Sequence, residues 1–70
     1  MNIKELRTSL SMSQQQFGDF LKVPVKTVRN WEQGVSAPPA YVLRLIELEC
    51  MAEHHRREVA EALPGQRRFE

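Results

Sequence analysis

Seventy residues, 41% of them apolar and 27% charged with a formal net charge of +1, are enough for one domain and no more. A chain of that length buries only about 60% of its unfolded surface, so it is marginal alone and suited to pairing with a second copy. No run of about 18 apolar residues is present, which excludes a membrane span, and the opening MNIKELRTSL lacks the charged-then-apolar layout of a secretory leader. The single cysteine, Cys50, excludes an internal disulfide and fits a reducing cytoplasm. Residues 1–48 hold six cationic side chains against four acidic ones, and residues 49–70 hold four against five. So small an excess makes no case for binding a polyanion. Its placement matters more, because Lys22, Lys26 and Arg29 fall in one short segment.

The sequence predicts helices and no strand. Asn2 with Glu5 three residues on reads as a capping box, and Ile3, Leu6 and Leu10 form the apolar stripe of a first helix. Ser11-Met12-Ser13 breaks it. Ser13 and Gln16 repeat the capping-box spacing, so a second helix is expected to begin at Gln14, with Phe17, Phe20 and Leu21 facing inward. Gly18 is small where a neighbouring helix approaches. Lys22-Val23-Pro24 is expected to end it, because the residue before a proline is pushed away from helical angles. Pro24 suits the start of the next helix. Val25 to Gln33 forms that third helix, with Val28 and Trp31 inward and Gly34 as its left-handed stop.

Val35 to Pro39 is a connector. From Ala40 a longer helix carries Tyr41, Val42, Leu43, Leu45, Ile46 and Leu48, apolar on most sides and therefore expected to be largely buried. Beyond Glu49 the pattern thins to a weak seven-residue stripe of Leu45, Leu48, Ala52, Val59, Ala62 and Leu63, interrupted by His55. Glu53 and Arg57, four apart in the favourable order, read as a solvated helix face. Leu63-Pro64-Gly65 stops the helix, and residues 64–70 read as a flexible tail. Phe17, Phe20, Val28, Trp31, Leu43 and Ile46 are the expected core.

Two short helices around a tight connection, the second with long polar side chains on its outer face, can enter the major groove of duplex DNA. The motifs Ser13-Gln14, Phe17 with Leu21, Thr27-Val28, Trp31-Glu32-x-Gly34, Pro38 and Leu43–Ile46 resemble the Xre/Cro family of helix-turn-helix DNA-binding domains over residues 3–48. The resemblance implies an all-α, lambda-repressor-like bundle of four to five short helices, with the helix-turn-helix at 14–33 inside a DNA-binding domain at 1–63. It implies that Gln14 bonds a phosphate and that Val25, Lys26, Arg29 and Asn30 face the groove. Thr27, Gln33 and Lys22 join them as expected DNA-binding residues, the first two against the backbone. It also implies an ion pair between Arg7 and Glu32.

Side-chain chemistry agrees. Lys26 can donate to guanine O6 and N7, Asn30 can pair bidentately with adenine, and Val25 can touch a thymine methyl. Gln14 adds a side-chain donor to helix N-terminal amides that favour a phosphate. Pro24 and Val25 depart from the family pattern, which more often has a hydroxyl and a polar base reader there.

No metal site is expected: His54 and His55 point about 100° apart on a helix, and Cys50 with His54 makes only a two-ligand fragment. No nucleophile, base and orienting group cluster, so no catalysis and no cofactor are expected. The resulting expectation is a cytoplasmic, sequence-specific regulator of double-stranded DNA, a repressor acting as a homodimer through residues 40–63. The runs TVRNWEQG and PPAYVLRLI are similar to those of HigA-type and MqsA-type antitoxins, which implies a toxin protein as a further partner. Phage-type repressors and restriction-modification controllers share the same core. A protein-interaction module without DNA binding is the alternative from another class.

Overall fold

In the computed structural model, which describes residues 2–62, four helices follow one another: α1 (Ile3–Ser9), α2 (Gln14–Leu21), α3 (Val25–Gln33) and α4 (Ala40–Ala62). Among the described residues there is no strand. The fold is all-helical, as the sequence predicts. The expected tail at 64–70 and the helix stop at Leu63-Pro64-Gly65 lie outside the described residues.

Both predicted capping boxes form. Asn2 Oδ1 accepts the Glu5 amide at 2.7 Å while Glu5 Oε1 accepts the Asn2 amide at 3.1 Å. Ser13 Oγ accepts the Gln16 amide at 3.1 Å and Gln16 Oε1 accepts the Ser13 amide at 2.8 Å. Each box satisfies two amides that a helix start leaves without partners. Pro24 precedes α3 as its N-cap rather than entering its first turn, and no side chain caps it. Its carbonyl accepts the Thr27 amide instead, at 3.0 Å.

The first three helices end by the same device. Residues Ser11, Lys22 and Gly34 take left-handed φ angles of 58°, 64° and 79°. The amides of Met12, Val23 and Val35 reach back to the carbonyls of Arg7, Gly18 and Asn30 at 3.3, 2.9 and 3.0 Å. These are Schellman closures, which satisfy last-turn carbonyls. The stop of α2 is therefore Lys22 turning left-handed, two residues ahead of the proline whose steric effect was expected to end it. Gly18 is needed at this corner. A Cβ there would sit 2.8 Å from the Val23 carbonyl oxygen and 3.5 Å from the backbone of Val25. The close approach comes from the turn itself and the start of α3.

Ile3, Leu6, Leu10, Phe17, Val28, Ile46 and Cys50 form the buried core. Phe20, Trp31 and Leu43, expected inside, are only partly buried and pack on its rim. Cys50, expected only as a free thiol, is 1% exposed. Burial pushes its pKa up, with Glu49 and Glu47 adding to the effect, so the thiol stays protonated.

The larger correction concerns α4. Far from being buried on most sides, it leaves Tyr41, Leu45, Leu48 and Met51 between 50% and 70% exposed. Three short helices cover only the Ile46–Cys50 side of a 23-residue rod. The rest of α4 is held to α1 by polar contacts. Arg57 Nη1 donates to the Leu10 carbonyl at 2.9 Å, and His54 Nε2 lies 3.1 Å from Ser9 Oγ. Ser9 Oγ also donates to the Leu6 carbonyl at 2.7 Å. That contact uses its one hydrogen, so the imidazole must be the donor to Ser9. Arg57 pairs with Glu53 as expected, at 2.9 Å, but it also caps α1 and is more than a solvated charge.

Candidate nucleic-acid interface

Side chains on α3 turn about 100° per residue. With Val28 fully buried and Glu32 and Trp31 turned towards the other helices, the opposite face carries Lys26, Arg29, Asn30 and Gln33. Lys26, Arg29 and Gln33 are exposed and Asn30 is half-buried. Val25 and Thr27 sit at intermediate burial on the two flanks of that face. Gln33, expected beside the backbone, lies in line with Lys26 and Asn30 at the far end of the row. Lys22 is exposed at the corner between α2 and α3.

None of Lys22, Lys26, Arg29, Asn30 and Gln33 makes a side-chain hydrogen bond or ion pair among the described residues. Polar residues of α2 are engaged: Gln15 Nε2 donates to Asp19 at 3.2 Å and Gln16 is spent on the cap. A row of uncommitted donors on one helix face costs little to desolvate against a ligand that supplies acceptors.

The expected pair between Arg7 and Glu32 is present and bidentate. Arg7 Nε donates to Glu32 Oε2 at 2.6 Å and Nη2 to Oε1 at 3.0 Å, with side-chain exposures of 14% and 7%. Arg7 Nη1 donates to the Met12 carbonyl at 3.0 Å. The Arg7 hydrogen bond foremost, with Gln14 adding to it, lowers the Glu32 pKa against the opposing effect of burial. The same bond raises that of Arg7. Sequence reasoning missed one member of this cluster. Gln14 Nε2 donates to Glu32 Oε1 at 3.2 Å, so the expected phosphate donor has one hydrogen committed inside the protein. The two residues are eighteen apart, and only the packing of α2 on α3 joins them.

A capped helix, a left-handed corner closed over a glycine and a second helix with a polar outer face define a helix-turn-helix. The helix-turn-helix family model matches residues 3–49, and the chain belongs to this family, of the Xre type. It is a DNA-binding transcriptional regulator, of a family of regulators rather than enzymes. Neither the curated proteins nor the solved structures contain a match to it. Among the described residues no helix is long and apolar enough to cross a membrane.

Proposed function

We propose that the chain is a sequence-specific repressor that binds a palindromic operator as a symmetric dimer. The observation that carries this reading is the uncommitted outer face of α3. Lys26 and Asn30 read base edges, Arg29 and Gln33 extend the contact along the groove, and Val25 lies against a thymine methyl. Gln14, Lys22 and Thr27 hold phosphates. One such helix reads only a few base pairs, so two of them, about 34 Å apart, are needed for usable specificity.

The second copy binds on α4. Tyr41, Leu45 and Leu48 recur at alternating spacings of four and three, the seam of a paired helix, and they are at least half exposed. Such a face on a monomer is costly in water and is relieved by a copy of itself. The antitoxin role within a toxin–antitoxin operon, in the cytoplasm and with a toxin as further partner, is supported by the likeness of residues 27–34 and 38–46 to such proteins. A toxin gene beside this one, and co-purification of its product, test that part.

Selection of bound duplexes from random DNA tests the core of the reading. The expected product is a palindrome with half-sites one helical turn apart. On that duplex, Lys26→Ala or Asn30→Ala costs about 1–3 kcal/mol and blurs the preference at one position. Affinity falls steeply, by roughly 10³-fold or more, between 50 and 200 mM salt. No enriched sequence and a flat salt response would instead mark an interaction module that does not meet DNA.

A further inference from the structure

The carboxylate of Glu32 accepts from two different helices. Its Oε2 is taken by Arg7 Nε, and its Oε1 is shared between Arg7 Nη2 and Gln14 Nε2. An amide nitrogen carries two hydrogens. With one held by Glu32, the other has no partner among the described residues and lies at the N-terminus of α2. The reverse orientation of the amide would set its oxygen against a carboxylate oxygen, two acceptors in contact. The Gln14 amide is thus fixed in one of its two orientations before any ligand arrives.

Arg7 keeps this arrangement compatible with a polyanion. Its fork neutralises Glu32, and its third nitrogen holds the Met12 carbonyl, fixing the chain just ahead of the Ser13 cap that directs the first amides of α2. We infer that Glu32 is a positioning residue for DNA binding: it pre-orders the Gln14 amide so that a free N–H meets a phosphate without first losing rotational freedom. This rests on the reading of Gln14 as a phosphate anchor. The gain comes from pre-organisation and needs no new contact to DNA.

The test replaces the buried pair by two neutral versions, R7M/E32Q and R7M/E32L, so that neither leaves an isolated buried charge. The first keeps a carbonyl acceptor beside Gln14 and the second does not. Affinity for the duplex recovered by selection is measured at one salt concentration, with circular dichroism confirming the fold. With Gln14 in place, R7M/E32Q should bind about three- to tenfold tighter than R7M/E32L. With Q14A added to both, the two should bind equally. A ratio that survives Q14A, or a ratio of one with Gln14 present, overturns the inference.

Q14A in the otherwise native chain separates the two readings. If it leaves affinity unchanged, Gln14 is no anchor and the inference falls with that reading, while Lys26 and Asn30 still test DNA binding. R7K covers the case in which R7M/E32L fails to fold. It loses the fork but leaves Glu32 to hold Gln14, so it should lower the urea midpoint and change affinity by less than about twofold. An affinity loss in R7K matching that of Q14A would mark the cluster as structural only.

Discussion

The segment from Asn2 to Gly34 and the helix from Ala40 to Ala62 solve the same problem in opposite ways. In the first, two helices start in capping boxes, all three end in a Schellman closure, and the most deeply buried side chains meet around Phe17, 0% exposed. In the second, one rod gives Ile46 and Cys50 to that core and leaves Tyr41, Leu45, Leu48 and Met51 in solvent. A 70-residue chain has too little apolar surface to cover both faces of a helix of that length. The closed segment holds the outer face of α3 in place. The long helix leaves an apolar face that the described residues do not cover.

The contrast breaks first if the two kinds of apolar residue prove alike. Phe17→Ala leaves a cavity at the centre and should cost about 3–5 kcal/mol, enough to unfold a domain of this size in a chemical denaturation series. The paired change Leu45→Ser and Leu48→Ser should shift monomer stability by only about 0.5 kcal/mol per site while abolishing dimers in sedimentation. Should the pair unfold the protein as Phe17→Ala does, α4's outer face is core and the dimer seam is elsewhere.

Gly18→Ala follows in size. The added methyl meets the Val23 carbonyl at 2.8 Å, and backbone cannot rotate away as a side chain can. About 1–3 kcal/mol of stability should be lost. DNA affinity should fall with it, because the corner that sets α3 against α2 has to open. A variant with native stability and affinity would show that the corner has slack.

Acidification sharpens the contrast electrostatically. Glu32 has a lowered pKa in the folded chain, chiefly through the Arg7 hydrogen bond. The unfolded chain therefore takes up its proton at higher pH than the folded one. The stabilisation is complete above the usual glutamate range and is lost as the pH falls through that range towards the folded pKa. Arg7 stays charged throughout and adds nothing in that window. A urea midpoint followed with pH should fall there, and E32Q should flatten the fall. An unchanged slope in E32Q would assign the acid sensitivity to other carboxylates.

What the sequence revealed divides along the same line. Helix starts were legible because Asn2, Glu5, Ser13 and Gln16 act within three residues of one another. The Arg7–Glu32 pair was legible only through family likeness, and its third member, Gln14, not at all, since it depends on how α2 packs on α3. Apolar spacing marked α4 as a helix, but spacing alone cannot tell a stripe buried by its own chain from one left in solvent. The helix stops divide in the same way. Gly34 announced itself as glycine, whereas Ser11 and Lys22 take left-handed angles that their residue types do not advertise.

Lys22 gives the smallest effect and the most discriminating one. An L-residue in the left-handed region carries a steric cost of roughly 1 kcal/mol that glycine does not pay. The φ of 64° at Lys22 makes Lys22→Gly a stabilising change, by about 0.5–1 kcal/mol, read as a raised urea midpoint. The same change removes a cation from the proposed phosphate contacts. DNA affinity should therefore fall for all sequences alike, with a salt slope shallower by about one, while the preferred operator stays the same. A corner residue kept for the fold alone would favour glycine, so stability and binding moving in opposite directions would show why a lysine occupies it. If the midpoint rises and the salt slope does not change, Lys22 makes no phosphate contact and the interface ends at α3 and Gln14.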